Sequence, residues 1–268
     1  MAFAKIDTVN VYYESTEQRG ETILFVPGFT AHRESWRPLA ERLASSHGTV
    51  LFDNRGSGES DTPEGPYTME MLARDLLGLM DALDIVDAHF MGASMGTAII
   101  QTVALIAPER VKSSVLIAPF AQLPETTAMH ITTVGKLFLA QIPMELIIEN
   151  SIPWLYGSRV TGNRDAVAKL IENRMNDPLS HNLTGFFGQC AALKEYDIRD
   201  RLGEIRHPVL LIAGEEDLTT PLICARYLHD RLPNATLRTI PRVGHMVYDE
   251  QPEKVYREVV GFIPPPVP

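Results

Sequence analysis

The stretch MGASMGTAII, residues 91–100, sets a lone serine, Ser94, between two glycines in a run with no charge and little bulk. A G-x-S-x-G pattern arises by chance in about one chain of this length in ten, taking Gly and Ser each near 7% of residues. Its surroundings therefore decide its meaning. AHFMGA, residues 88–93, reads as a buried strand, and MGTAIIQTVALIAPE, residues 95–109, reads as a buried helix. A serine squeezed between a strand end and a helix start must take a strained backbone. Side chains at Gly92 and Gly96 would then collide with the closely passing chain. Such strain costs about 1–3 kcal/mol, and a fold keeps it where the exposed hydroxyl is useful. The same turn sets the Met95 N–H and the positive end of the helix beside the hydroxyl, ready for developing negative charge. The plainer alternative is a serine that merely caps a helix.

Outward from this turn, short apolar runs alternate with amphipathic stretches. Strands are expected over 9–14, 22–26, 49–53, 88–93, 111–117, 209–213 and 236–240. That rhythm predicts an α/β fold, a mostly parallel twisted sheet flanked by helices. Residues 69–83 carry Leu72, Leu76, Met80 and Leu83 on one stripe, with Arg74 and Asp81 turned to water and Thr68 as the cap. One interval breaks the rhythm. Roughly 90 residues lie between Phe120 and His207, whereas a crossover with its helix needs only about a dozen. TTVGKLFLAQIPMELIIENSIPWLYG (132–157) and the helical runs at 166–175 and 183–193 fill it with Leu, Ile and Met. They are expected to form a helical cap inserted between two strands, with 1–120 and 206–268 as the core domain and 121–205 as the cap. The alternative is that these helices extend the main core.

Composition narrows the function class. The chain has 268 residues, 45% hydrophobic and 22% charged, with a formal net charge of -10. That charge repels polyanions and argues against a nucleic-acid or anionic-membrane partner. Residues 1–20 hold no apolar signal core, and no run reaches the 18 apolar residues of a membrane span, so a cytoplasmic protein is expected. Cys190 and Cys224 have neither metal-ligand nor redox spacing. The final PPPVP is expected to fray.

A serine hydroxyl is a weak nucleophile at neutral pH and needs a base within hydrogen-bond reach. Eight histidines compete. His245, in PRVGHMVYDEQPE, follows the last expected strand and so lies at the same carboxyl edge as Ser94. His32, in the loop after Val26, is the rival at that edge. His89 falls inside a strand, His47 and His207 precede strands, His229 is on a helix, and His130 and His181 lie in the insert. The base in turn needs a carboxylate to fix its tautomer. Asp217, in LLIAGEEDLTTP, sits four residues past a strand end, with Glu215 and Glu216 as neighbouring alternatives. A second oxyanion donor is expected from the Phe29 N–H, in the turn where Gly28 lets the backbone approach a ligand.

With these residues in hand the chain resembles the α/β-hydrolase superfamily, whose reacting residues run Ser, acid, His along the chain; here the order is Ser94, Asp217, His245. The likeness spans nearly the whole length and includes DNRGSGESDTP (53–63), similar to the superfamily's D-x-R-G-x-G-x-S turn, in which Asp53, Arg55, Gly56 and Gly58 read as structural. The elbow, the insert and LIAGEEDLTTP most resemble small-molecule esterases and 3-oxoadipate enol-lactonase-like hydrolases. Pro27 stands where many relatives have His, and Thr97 replaces a frequent glycine. The resemblance implies a serine hydrolase that cleaves a small-molecule carboxylic ester or lactone through an acyl-enzyme. Its oxyanion donors would be Phe29 and Met95. Serine at 94 separates it from the dehalogenases and epoxide hydrolases of that fold, which use Asp.

No metal and no cofactor are expected. The expected partner is a small-molecule substrate, with a homo-oligomer permitted. C–C bond hydrolysis, perhydrolysis, acyl transfer and a ligand-binding receptor remain alternatives. Gly28, Met129, Phe138, Leu139, Met144 and Trp154 are candidates for the pocket wall. Arg159, Arg164 and Arg174 could supply a basic patch for an anionic lactone.

Overall fold

The computed structural model describes residues 2–16, 20–179 and 182–263; His181 and the terminal PPPVP lie outside the described residues. Eight strands form one sheet: β1 (Ala2–Ile6), β2 (Val9–Ser15), β3 (Thr22–Val26), β4 (Gly48–Phe52), β5 (Ala88–Ala93), β6 (Val111–Ile117), β7 (Val209–Gly214) and β8 (Ala235–Ile240). The helices are α1 (Arg37–Leu43), α2 (Met69–Ala82), α3 (Met95–Ile106), α4 (Glu125–Leu139), α5 (Met144–Leu155), α6 (Ser158–Thr161), α7 (Arg164–Met175), α8 (Leu183–Glu195), α9 (Leu222–His229), α10 (Val247–Glu250) and α11 (Pro252–Phe262).

Strand order is β1-β2-β4-β3-β5-β6-β7-β8. The first two pairings are antiparallel and the rest parallel. All seven expected strands are present with ends shifted by at most one residue. β1 was not anticipated: Lys5 ends its apolar run after the three residues Ala2–Ala4, and it becomes a strand by pairing with β2, Ala2 opposite Tyr13.

Alternation along each central strand builds two cores. Ile23 and Phe25 pack with Trp36, Leu39 and Leu43 on one face, together with Val255 and Val259 of α11. Leu24 and Val26 pack on the other against Leu72 and Leu76 of α2 and Ile99 and Val103 of α3. Thr68 accepts from the Met71 N–H at 3.1 Å, as its place before α2 predicts.

The chain leaves β3 toward β4 on one side and returns to β5 on the other, so the carboxyl ends of β3 and β5 flank a topological switch point, the usual crevice for a ligand in such sheets. Gly28 and Ser94 lie just past those two ends. The expected insert occupies the interval between β6 and β7 as α4–α8. It divides in its packing. Val134, Ile147 and Phe186 form a small cluster of their own with Phe29, while Cys190, Ala192 and Leu193 of α8 join the main core. Both thiols are free, and burial raises the pKa of each, that of Cys224 to about 11. Among the described residues no helix is long and apolar enough to cross a membrane.

One half-buried group sets an acid limit on the fold. His207, 2.8 Å from the Ser114 hydroxyl, has its pKa pushed down from 6.5 to about 4 by burial. The unfolded chain takes up a proton there near 6.5 and the folded chain refuses it until about 4. Its contribution is therefore complete above 6.5 and is lost on acidification through that window, about 3 kcal/mol in all. His207→Gln should flatten the fall of Tm between those pH values, read by thermal denaturation.

Candidate active site

Ser94 joins β5 directly to α3 with φ 52° and ψ −120°, a backbone that L residues rarely adopt. The crowding expected around it is present. A Cβ on Gly96 would lie 2.2 Å from the Val26 carbonyl oxygen, and one on Gly92 would lie 2.6 Å from Ile100 Cδ1. The Ser94 N–H donates to the Ile117 carbonyl at 2.9 Å, and the Thr97 hydroxyl donates to the Ser94 carbonyl at 2.7 Å, so the residue in place of a frequent glycine ties the turn to the helix. Among the described residues the Ser94 hydroxyl itself has no hydrogen-bond partner.

Asp217 is buried in the loop after β7, its side chain 0% exposed. One carboxylate oxygen accepts the Thr219 and Thr220 N–H groups at 2.8 and 2.9 Å. The other accepts the Thr220 hydroxyl at 2.9 Å and His245 Nδ1 at 2.8 Å. A carboxylate only accepts, so the His245 proton sits on Nδ1 and Nε2 is left as an acceptor. The alternative acids are used elsewhere. Glu215 takes the Thr239 hydroxyl at 2.9 Å, and Glu216 takes the Ser158 N–H and hydroxyl at 2.6 and 2.9 Å. His32 is likewise engaged, 2.8 Å from Asp177 of the insert.

The turn after β3 carries Phe29, whose ring packs on Phe186 with centroids 5.0 Å apart. Among the described residues neither the Phe29 nor the Met95 amide is spent on a turn or cap hydrogen bond. Thr30, next in the chain, has φ 58°, and its N–H donates to Gln189 Oε1 of α8 at 3.0 Å. The Gln189 amide also donates to the Arg55 carbonyl and the Ser57 hydroxyl, each at 2.9 Å. Below it, Asp53 accepts the Arg33 and Glu59 N–H groups at 2.8 and 3.0 Å and pairs with the Arg33 guanidinium. Arg55 grips Asp75 through two bonds of 2.5 and 2.6 Å. Asp53 and Arg55 thus shape the turns beside Ser94, in line with their structural reading.

Two supporting side chains escaped the sequence reading. A fully buried glutamine inside the apolar run FFGQCAAL was the available signal for Gln189, since a buried amide requires partners. Glu250 had no such signal. Its Oε1 accepts Gly244 N–H at 2.8 Å and Gly157 N–H at 3.1 Å, binding the residue before His245 to the insert, and burial raises its pKa. Met246 N–H adds a bond to the Leu155 carbonyl at 2.9 Å along the same seam.

Ser94 and His245 open onto one cavity of about 490 Å³ between the sheet edge and the insert. Of the pocket-wall candidates, Gly28, Phe138, Met144 and Trp154 line it, and so does Phe29. Leu139 and Met129 do not. They are 66% and 64% exposed, because successive residues of α4 turn about 100° around its axis and Phe138 already takes the inward position. Of the three arginines only Arg174 reaches the cavity wall.

Comparison with known proteins agrees with this fold. The chain is 28% identical over 262 residues to a provisional carbamate hydrolase of Azorhizobium caulinodans, covering 98% of each. It is 27% identical over 236 residues to 3-oxoadipate enol-lactonase 2 of Acinetobacter baylyi, covering 86% of this chain and 84% of that one. A thermophilic esterase from Thermogutta terrifontis superposes with a TM-score of 0.86 at 25% identity over 98% of both chains. A sheet with its crevice at the β3/β5 switch point, a strained serine elbow and a match to the family profile over residues 23–258 lead to one assignment: the chain belongs to the alpha/beta hydrolase family.

Proposed function

We propose that the protein hydrolyses a carboxylic ester or lactone of a small molecule through an acyl-enzyme formed on Ser94. The observation that carries this reading is the Asp217–His245 hydrogen bond of 2.8 Å on the wall of a cavity that also holds a strained, unpaired serine hydroxyl. Ser94 Oγ adds to the carbonyl carbon as its proton passes to His245 Nε2. The oxyanion takes the Phe29 and Met95 N–H groups, and collapse expels the alcohol with the proton held by His245. Water then repeats the sequence on the acyl group and frees Ser94. The Ser94–His245 hydrogen bond forms when substrate fills the site, since catalytic hydrogen bonds are commonly long or unmade in enzymes free of ligand.

A cavity of about 490 Å³ suits a substrate of small-molecule size. Residues 121–205 act as the cap that closes over it and excludes water, although α8 also belongs to the core packing. The names of the relatives, an enol-lactonase and an esterase, support the same reaction class.

Labelling by a fluorophosphonate, followed by a panel of aryl esters, lactones and vinylogous diketones, tests the reading. Ester or lactone turnover well above diketone cleavage is expected; the reverse order overturns it. The support under the oxyanion turn gives a separate prediction. Gln189→Leu strands the Thr30 N–H, so Phe29 drifts, and kcat should fall by about 10- to 100-fold with KM little changed. Steady-state kinetics would show this, alongside a stability loss of about 2 kcal/mol from unpaired buried groups.

A further inference from the structure

Most polar side chains on the cavity wall are already used within the protein. The Thr127 hydroxyl donates to the Thr219 carbonyl, the Ser151 hydroxyl to the Ile147 carbonyl at 2.9 Å, and the Tyr156 hydroxyl to Asp249 at 2.9 Å. His130 is different. Its half-buried imidazole lines the cavity, and neither ring nitrogen has a partner among the described residues. The ring stacks on Trp154, with centroids 4.1 Å apart and planes 16° from parallel. This pair is fixed to the loop that carries Asp217. Thr127, one turn before His130 on α4, donates to the Thr219 carbonyl, and the Thr219 hydroxyl donates to the Trp154 carbonyl at 2.7 Å.

We propose that the stacked His130 ring is a hydrogen-bonding subsite that selects esters or lactones bearing a second, uncharged oxygen function, a ketone or a hydroxyl. The inference deepens the ester or lactone reading and rests on it. Burial lowers the His130 pKa, so at neutral pH the ring offers one N–H donor and one acceptor and no charge. Ile131, Val134 and Trp154 line the cavity beside it, and in that largely apolar setting a ketone or hydroxyl is matched by one hydrogen bond. A plain alkyl chain in the same place would leave the ring nitrogens unpaired.

The test compares methyl 3-oxobutanoate and methyl 3-hydroxybutanoate with methyl butanoate. Binding to Ser94→Ala is read by Trp154 fluorescence, with Trp154→Phe identifying the signal because the second tryptophan, Trp36, is fully buried. The oxygenated esters should bind about tenfold more tightly than the plain one, and His130→Phe should erase that difference while His130→Gln recovers part of it. In the Ser94 enzyme, His130→Phe should lower kcat/KM for the oxygenated esters by about tenfold relative to methyl butanoate. Equal binding of all three esters, no binding of any, or equal losses on all three in His130→Phe would overturn the subsite. Discrimination through His130 without turnover would sink the hydrolase reading and keep the subsite; turnover indifferent to His130 would do the opposite.

Discussion

Ser94→Ala is expected to lower kcat by about 10⁶-fold and to abolish fluorophosphonate labelling, with the fold intact. The hydroxyl bonds to no described residue, so its removal costs no native contact. Alanine keeps the Cβ and therefore keeps the strain of φ 52°, ψ −120°. Ser94→Gly provides the contrast. It should be equally inactive yet more stable by about 1–2 kcal/mol, because glycine adopts this backbone without penalty. Thermal denaturation of the pair separates the reactive group from the strain that presents it. Retention of more than about one hundredth of wild-type turnover in Ser94→Ala would remove the acyl-enzyme route.

Asp217→Asn is expected to cost about 10⁴-fold in kcat while substrate binding persists. The reason lies in the donor count. All four bonds to the carboxylate come from N–H or O–H groups, two on each oxygen. An amide replaces one acceptor by an NH2 that must face either His245 Nδ1–H or the Thr219 and Thr220 amides. Relief comes from moving the imidazole proton to Nε2, the atom that has to accept from Ser94. Kinetics across pH should show the loss as a fall in kcat. A variant with normal kcat and raised KM would place Asp217 in substrate binding instead.

The local signals were strong where the chemistry is local. Alternating apolar runs located seven of eight strands, glycine spacing located the elbow, and loop position after β7 and β8 singled out Asp217 and His245 from acids and histidines of the same type. These features depend on residues within a few positions of each other, and their physical causes, side-chain period and steric room, are written in that short range. β1 escaped because a five-residue edge strand is defined by its partner.

The walls of the cavity belong to the tertiary structure alone. Phe138 faces inward and its neighbour Leu139 outward, Arg174 reaches the cavity and Arg159 and Arg164 do not, and both outcomes turn on how each insert helix is rotated about its own axis. Gln189, Glu250 and the His130–Trp154 stack likewise join residues 24 to 159 positions apart. Sequence by itself determined the fold class and the turn at Ser94, and it named Asp217 and His245, which the structure brings to 2.8 Å of each other. Only the packing of five inserted helices against one sheet edge decided what surrounds them, because helix rotation is set by long-range apolar contacts that no short pattern encodes.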